Sequence, residues 1–210
     1  MEISALSSSG KEPFQTQQNR SKVSLPAIPH GIRDTFLTQV DCFTYNKLIY
    51  AFQCSIIGKM ILISHRGNLT GPNPKRENHP SYILEALNKK FAVEIDVWYE
   101  RGWWLGHDKP QYKIDQSFVY LTPNLWVHCK NSTAMVTLSV NKLNFLPTPT
   151  FFWHETDTHA MTSHPGILCT FPGKPLTSIS ICVLPERAKY TKAQLKKCLG
   201  ICSDYIVNYK

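Results

Sequence analysis

The chain lacks the features that mark several large classes of protein. No run of five or more Lys or Arg occurs in its 210 residues, so a nucleic-acid arm is not expected. No CxxC pair occurs, and Cys198 and Cys202, four apart, have no partner pair at ligand spacing, so a zinc knuckle is unsupported. The longest apolar stretch, LIYAFQCSIIG at 48–58, is too short to cross a bilayer. The first residues show no basic segment followed by an apolar core, so a secretory signal is not evident. No GxGxxG follows the first strand-like run, which argues against a doubly wound dinucleotide-binding sheet.

Charge is also sparse at 18% of residues, against 42% hydrophobic, the balance of a globular domain. The net charge of +8 reads first as a solvated basic surface and otherwise as a mild attraction for phosphate-bearing substrates. Seven cysteines are an odd count, and Cys129, Cys169 and Cys182 sit inside apolar runs, where free thiols behave as small hydrophobes. That usage points to a reducing cytoplasm. Nothing in the sequence sets the oligomeric state.

The texture changes at Met60. Residues 1–59 carry no strand–helix beat, and residues 1–29 are rich in Ser, Gln, Pro and Lys. We read 1–59 as an extension, largely disordered or the product of an upstream start, and 60–210 as the functional domain. From Met60 onward, short apolar runs recur at 60–64, 91–98, 125–129, 150–154, 167–171, 178–183 and 203–207. Such continuous runs suit parallel strands buried on both faces. Helical patterns fall between them: Pro80 opens SYILEALNKK, Ser132 caps TAMVTLSVNKLN, and Thr191 caps KAQLKKCLG, which closes at Gly200. Alternation of this kind predicts an α/β fold, a compact, trimmed TIM-type βα barrel, with loops replacing helices at 155–166 and 171–177.

Three clusters stand where predicted strands run out: His65-Arg66 after MILIS, Glu94-x-Asp96 inside FAVEIDVWY, and His107-Asp108 after WWLG. In a parallel barrel, strand carboxyl ends share one catalytic rim. Glu94 and Asp96 point to one face of their strand, and two buried carboxylates are costly unless paired or metal-bound. Two imidazoles, a guanidinium and two carboxylates are the parts needed to hold a cation and cleave a phosphate ester. There are 27 residues between Arg66 and Glu94, room for a helix and a strand, and ten between Asp96 and His107, room for a short loop or hairpin. Trp153, His154, Glu155, Asp157 and His159 follow the apparent fourth strand and should reach the same rim; Glu155 could add a carboxylate there.

The order HR…ExD…HD, with Glu77-Asn78 and Ala86-Leu87 in ENHPSYILEAL, resembles the glycerophosphodiester phosphodiesterase family within the phospholipase-C-like phosphodiesterase barrels. The likeness is strong over 60–108, legible over 125–210 and absent over 1–59. It implies a phosphoric diester hydrolase acting on a glycerophosphodiester or similar small-molecule phosphodiester. It implies His65 and His107 as general acid and base, Arg66 on the phosphoryl oxygens, and Glu94 and Asp96 on a divalent cation. Glu77 would lie near the metal or orient Arg66, and Lys130 in LWVHCKN would contact the phosphate. Relatives commonly carry a glutamate two residues before that lysine as a third metal ligand; here it is His128. Imidazole is softer than carboxylate, so Mn²⁺ or Zn²⁺ joins Mg²⁺ and Ca²⁺ as a candidate. Rival readings are a lyase-like enzyme that stops at a cyclic phosphate and a non-catalytic barrel binding a phosphorylated ligand or sugar.

Overall fold

The strand Ile61–His65 (β1) lies in the middle of the sheet and organises everything around it. It pairs in parallel with Ala92–Tyr99 (β2) on one side and Gly200–Ser203 (β10) on the other. A computed structural model describes residues 60–141, 149–164 and 166–210 of the chain. The reading of residues 1–59 as an extension lies outside the described residues.

Ten described strands form one mixed sheet, and the fold is α/β. From edge to edge the main path runs Thr150–Phe152 (β6), Leu125–Cys129 (β5), β2, β1, β10, Ser180–Val183 (β9), Leu168–Thr170 (β8) and His159–Met161 (β7). All of these neighbours are parallel except β7, which runs antiparallel to β8. A hairpin of Trp103–Leu105 (β3) and Tyr112–Ile114 (β4) continues antiparallel from Val97–Tyr99 of β2. The helices are few and short: Pro80–Asn88 (α1), Gln116–Leu121 (α2), Ser132–Asn141 (α3) and Lys192–Leu195 (α4).

The strands are apolar on both faces because both faces are covered. Val93, Ile95 and Val97 of β2 pack with Val127 and Cys129 of β5 under Ile83 and Ala86 of α1 and Ala134 and Leu138 of α3. The opposite face carries Ile63, Trp126, Phe152, Ala160, Cys169, Ile181, Val183 and Cys202, one from almost every strand, in a second cluster. That second face is concave. In a flat sheet β6 and β8 would stand roughly 29 Å apart at ~4.8 Å per strand. Yet the ring of His154, just past β6, lies 4.0 Å centroid to centroid from Phe171, just past β8. The sheet is therefore curled but not closed, since among the described residues no ladder joins β6 to β7. Two hydrogen bonds tie those edges: Ser163 N donates to Phe151 O at 2.7 Å, and Phe151 N donates to Ser163 Oγ at 3.0 Å.

Several boundaries differ from the sequence reading. The helix after Thr191 has its capping box, with Gln194 as partner, but stops at Leu195. Gly200 does not end it; it opens β10, which occupies 200–203 and not 203–207, and a 3-10 turn fills Ile206–Tyr209. A Cβ at Gly200 would meet Ile61 O at 2.6 Å, so close strand approach, not helix termination, requires glycine there. The cap of α3 is Asn131, whose Oδ1 accepts from Ala134 N at 2.9 Å; Ser132 is already helical. The segment 155–166, expected as loop, contains β7.

Candidate active site

Register brings the candidate residues together. Across β1 and β2, His65 stands beside Glu94; across β2 and β5, Asp96 stands beside His128. With alternate residues on one face, all four project onto the concave side near the strand carboxyl ends. All four are buried, and Asp96 is 0% exposed.

Asp96 is the centre of charge. Arg66 Nε lies 2.9 Å from Asp96 Oδ2, and Asn78 Nδ2 donates to the same oxygen at 2.9 Å. Oδ1 faces His128 Nδ1 at 2.9 Å and Lys130 Nζ at 3.6 Å. The Arg66 N–H is not aimed along its line to Asp96, so that contact is Coulombic and not a hydrogen bond. Burial alone would raise the Asp96 pKa, but the His128 hydrogen bond and the Arg66 charge hold it far below the usual carboxylate range. Glu94 is the reverse. Its Oε2 is buried with no hydrogen-bond partner among the described residues. Burial, then repulsion from Asp96, pushes its pKa up.

His65 has a partner that sequence reasoning missed. Its Nδ1 lies 2.6 Å from Oδ1 of Asp204, directly after β10. Asn68 Nδ2 donates to that oxygen at 2.8 Å and to Glu77 at 2.9 Å. Burial lowers the His65 pKa, but the Asp204 hydrogen bond and the Glu94 charge outweigh it and raise the net value. Asp204 in turn sits below the ordinary range, its burial outweighed by His65. The available signal was an acidic residue ending the run ICSD, without any motif around it.

The turn after β1 places Arg66 in the left-handed region at φ 53°, followed by Gly67 at φ 91°. A Cβ on Gly67 would meet Tyr82 of α1 at 2.8 Å, so this turn admits little but glycine. Glu77 Oε2 receives Arg66 at 3.2 Å, placing Glu77 as an orienter of Arg66.

His107 follows β3 and reaches the same cavity as His65, Arg66, Glu94, His128 and Lys130. Burial lowers its pKa. Glu155 is exposed; it lies on the cavity rim but outside the ligand cluster. Trp126 and Trp153 line the cavity, whereas Trp98 donates its indole N–H to Gly106 O at 2.7 Å.

Donor atoms of Glu94, Asp96 and His128 all lie within 4.8 Å of one another. The residues fit a divalent cation. Glu94 Oε2 is a buried carboxyl oxygen with no hydrogen-bond partner among the described residues, and His128 Nδ1 faces both carboxyl groups, 2.9 Å from Asp96 and 3.9 Å from Glu94. The far nitrogen, Nε2, is 3.4 Å from His154 O, an acceptor for the alternative Nε2–H tautomer, in which Nδ1 would give up its hydrogen bond to Asp96 and offer a lone pair to a metal.

His154 closes this wall. Its ring stacks on His128 at 4.5 Å, and its Nδ1 is buried with no hydrogen-bond partner among the described residues. Burial, then the charges of His128 and Lys130, push its pKa down to about 4. A histidine depressed in the folded state binds fewer protons there than when unfolded, so stability falls as pH drops below ~6.5 and levels off near the folded value. Urea titrations should show about 2 kcal/mol lost over that window after allowing for partial exposure. His154→Phe should flatten the slope; an unchanged slope would assign it to other groups.

Compared with known proteins, the chain matches no family model, no curated protein and no solved structure. No described helix is long and apolar enough to cross a membrane. The five described cysteines, Cys129, Cys169, Cys182, Cys198 and Cys202, are buried and unbridged.

Proposed function

We propose that the chain is a metal-dependent phosphoric diester hydrolase acting on a small phosphodiester, related to the phospholipase-C-like phosphodiesterases, with the curled sheet as an incompletely closed version of their barrel. One observation carries the reading: parallel register sets His65 beside Glu94 and Asp96 beside His128, and His65, Glu94 and His128 line one cavity with Arg66, Lys130 and His107.

Arg66 and Lys130 supply the positive charge that a diester's phosphoryl oxygens need, Arg66 through its planar fork. Asp96 and Glu77 hold the two ends of that guanidinium. Asp204 grips His65 Nδ1 and so turns Nε2 away from the partner, toward Glu94 and the cavity. His107, with its depressed pKa, stands neutral near pH 7 and is suited to take a proton from the attacking group. Donation to the leaving alkoxide then falls to His65. A cation held by Glu94, Asp96 and His128 would add Lewis-acid stabilisation of the phosphoryl charge.

Phosphorus NMR of candidate diesters, with and without Mg²⁺, Ca²⁺, Mn²⁺ and Zn²⁺, tests the reading and separates monoester from cyclic product. No turnover with any of these ions would overturn it. Chelation should abolish activity, and Mn²⁺ should restore it at least as well as Ca²⁺, because one ligand is imidazole. His128→Glu should move the preference toward Mg²⁺ or Ca²⁺. Identical metal profiles for the two proteins would remove His128 from the ligand set, and activity surviving exhaustive chelation would remove the metal.

A further inference from the structure

The cavity at the strand ends has a volume of about 460 Å³, within the ~300–1,000 Å³ typical of small-molecule sites. Its chemistry is divided. The charged groups stand at the strand carboxyl ends and in the loops beyond them, from Arg66 and Glu94 to Lys130, Glu155 and Arg187. Much of the remaining surface comes from the concave face of β5, β6 and β8–β10, including Trp126, Phe152, Cys169, Ile181, Leu184 and Cys202. Among the described residues that line it there is no Ser, Thr, Asn, Gln or Tyr side chain. A parallel barrel interior is ordinarily filled by layers of branched side chains. Here β8 and β10 present Cys169 and Cys202 inward, and these small side chains leave room.

Leu184 adds to the same surface. It is a bulky residue in the left-handed region, φ 45°, held by a 2.7 Å hydrogen bond from its N–H to Cys202 O. That conformation is unfavourable for an L-residue, yet it leaves Leu184 buried in the concave cluster and on the cavity wall.

We propose that the cavity receives an apolar ester arm of the substrate, so that the preferred diester carries an alkyl or aryl group and not a glyceryl or sugar one. The phosphate end of this assignment rests on the hydrolase reading above. Glyceryl hydroxyls entering this surface would give up water with no neutral hydroxyl or amide side chain, and on the sheet side little beyond the His154 imidazole, to replace it, an unfavourable exchange. An alkyl arm of the same length gains from each methylene removed from water.

Calorimetric titration of the full chain with pentyl phosphate and with glycerol 3-phosphate tests this directly, because both present one phosphate and arms of similar length. Pentyl phosphate should bind at least ~30-fold more tightly. Equal affinities, tighter binding of glycerol phosphate, or no binding of either would overturn the proposal. Cys169→Leu and Cys202→Leu narrow the cavity and should each shrink that ratio at least ~5-fold, with thermal unfolding confirming a folded protein; an unchanged ratio in folded variants places the alkyl arm elsewhere and overturns the assignment. If neither variant folds, the wild-type titration decides. The outcome separates from that of the hydrolase reading. Tight pentyl phosphate binding without cleavage of any diester keeps the apolar site and sinks the enzyme. Faster cleavage of a glyceryl than of a pentyl diester keeps the enzyme and sinks the apolar site.

Discussion

Replacing His65 or His107 with alanine should lower kcat by about two to four orders of magnitude, the scale for losing a general acid or base. The two histidines reach the cavity from different elements, His65 from the end of β1 and His107 from the turn after β3, so they act on opposite sides of the phosphoryl group only if both touch the same substrate. Their surroundings differ. His65 is tied to Asp204 and faces Glu94, whereas His107 pairs with the neighbouring Asp108 at the surface. Asp204→Asn should give a smaller loss than His65→Ala, because the ring remains but its orientation and charge are less well held. Its pH profile should also shift, which a purely structural defect would not produce. Measured turnover unchanged in both alanine variants would end the acid–base assignment.

The largest loss of stability should come from Asp96→Asn. Asp96 is fully buried and faces Arg66 and Lys130, so removing its charge leaves two cations clustered without their shared anion. Breaking a buried ion pair from one side typically costs about 3–5 kcal/mol. Glu77 still compensates Arg66, so we expect about 3 kcal/mol, read as a lower urea midpoint at unchanged m. Glu94→Gln is the matched comparison. It removes a carboxylate that lacks a partner at Oε2 and whose ionised form burial disfavours, so it should change stability by no more than about 1 kcal/mol, and in either direction. Equal losses in the two variants would show that the cluster is held by packing and not by charge.

Much of the sheet was legible in the sequence because it is buried on both sides. FAVEIDV and LWVHC read as strands without alternation, and the structure places them as β2 and β5. The two carboxylates of β2 were legible as same-face neighbours from a period of two. What the sequence did not carry was adjacency. That Asp96 meets His128 follows from β2 pairing with β5, and that His65 meets Asp204 follows from β1 pairing with β10; no local pattern encodes either pairing. The three-residue strands β4 and β7 were missed for a different reason. They are too short for periodicity to separate from loop, and β4 is defined by the hairpin it forms with β3. The helix expected to reach Gly200 followed propensity correctly at its cap and failed at its end, where the chain must turn into β10.

The place of β1 between a near and a distant strand has a consequence for how the protein is made. Apart from Asp204 and its partners Glu186 and Arg187, the polar members of the cluster lie within residues 65–130, so a nascent chain can bring Arg66, Glu77, Glu94, Asp96, His128 and Lys130 together as soon as β5 has left the ribosome. The other flank of β1 stays bare until β10 emerges, with 139 positions separating His65 from Asp204. Contacts that close such long loops form late and slow the overall reaction. During synthesis the protein should therefore pass through a species with its charges assembled, one side of its central strand unpaired, and much of its apolar concave surface still exposed, which is the species a chaperone would meet.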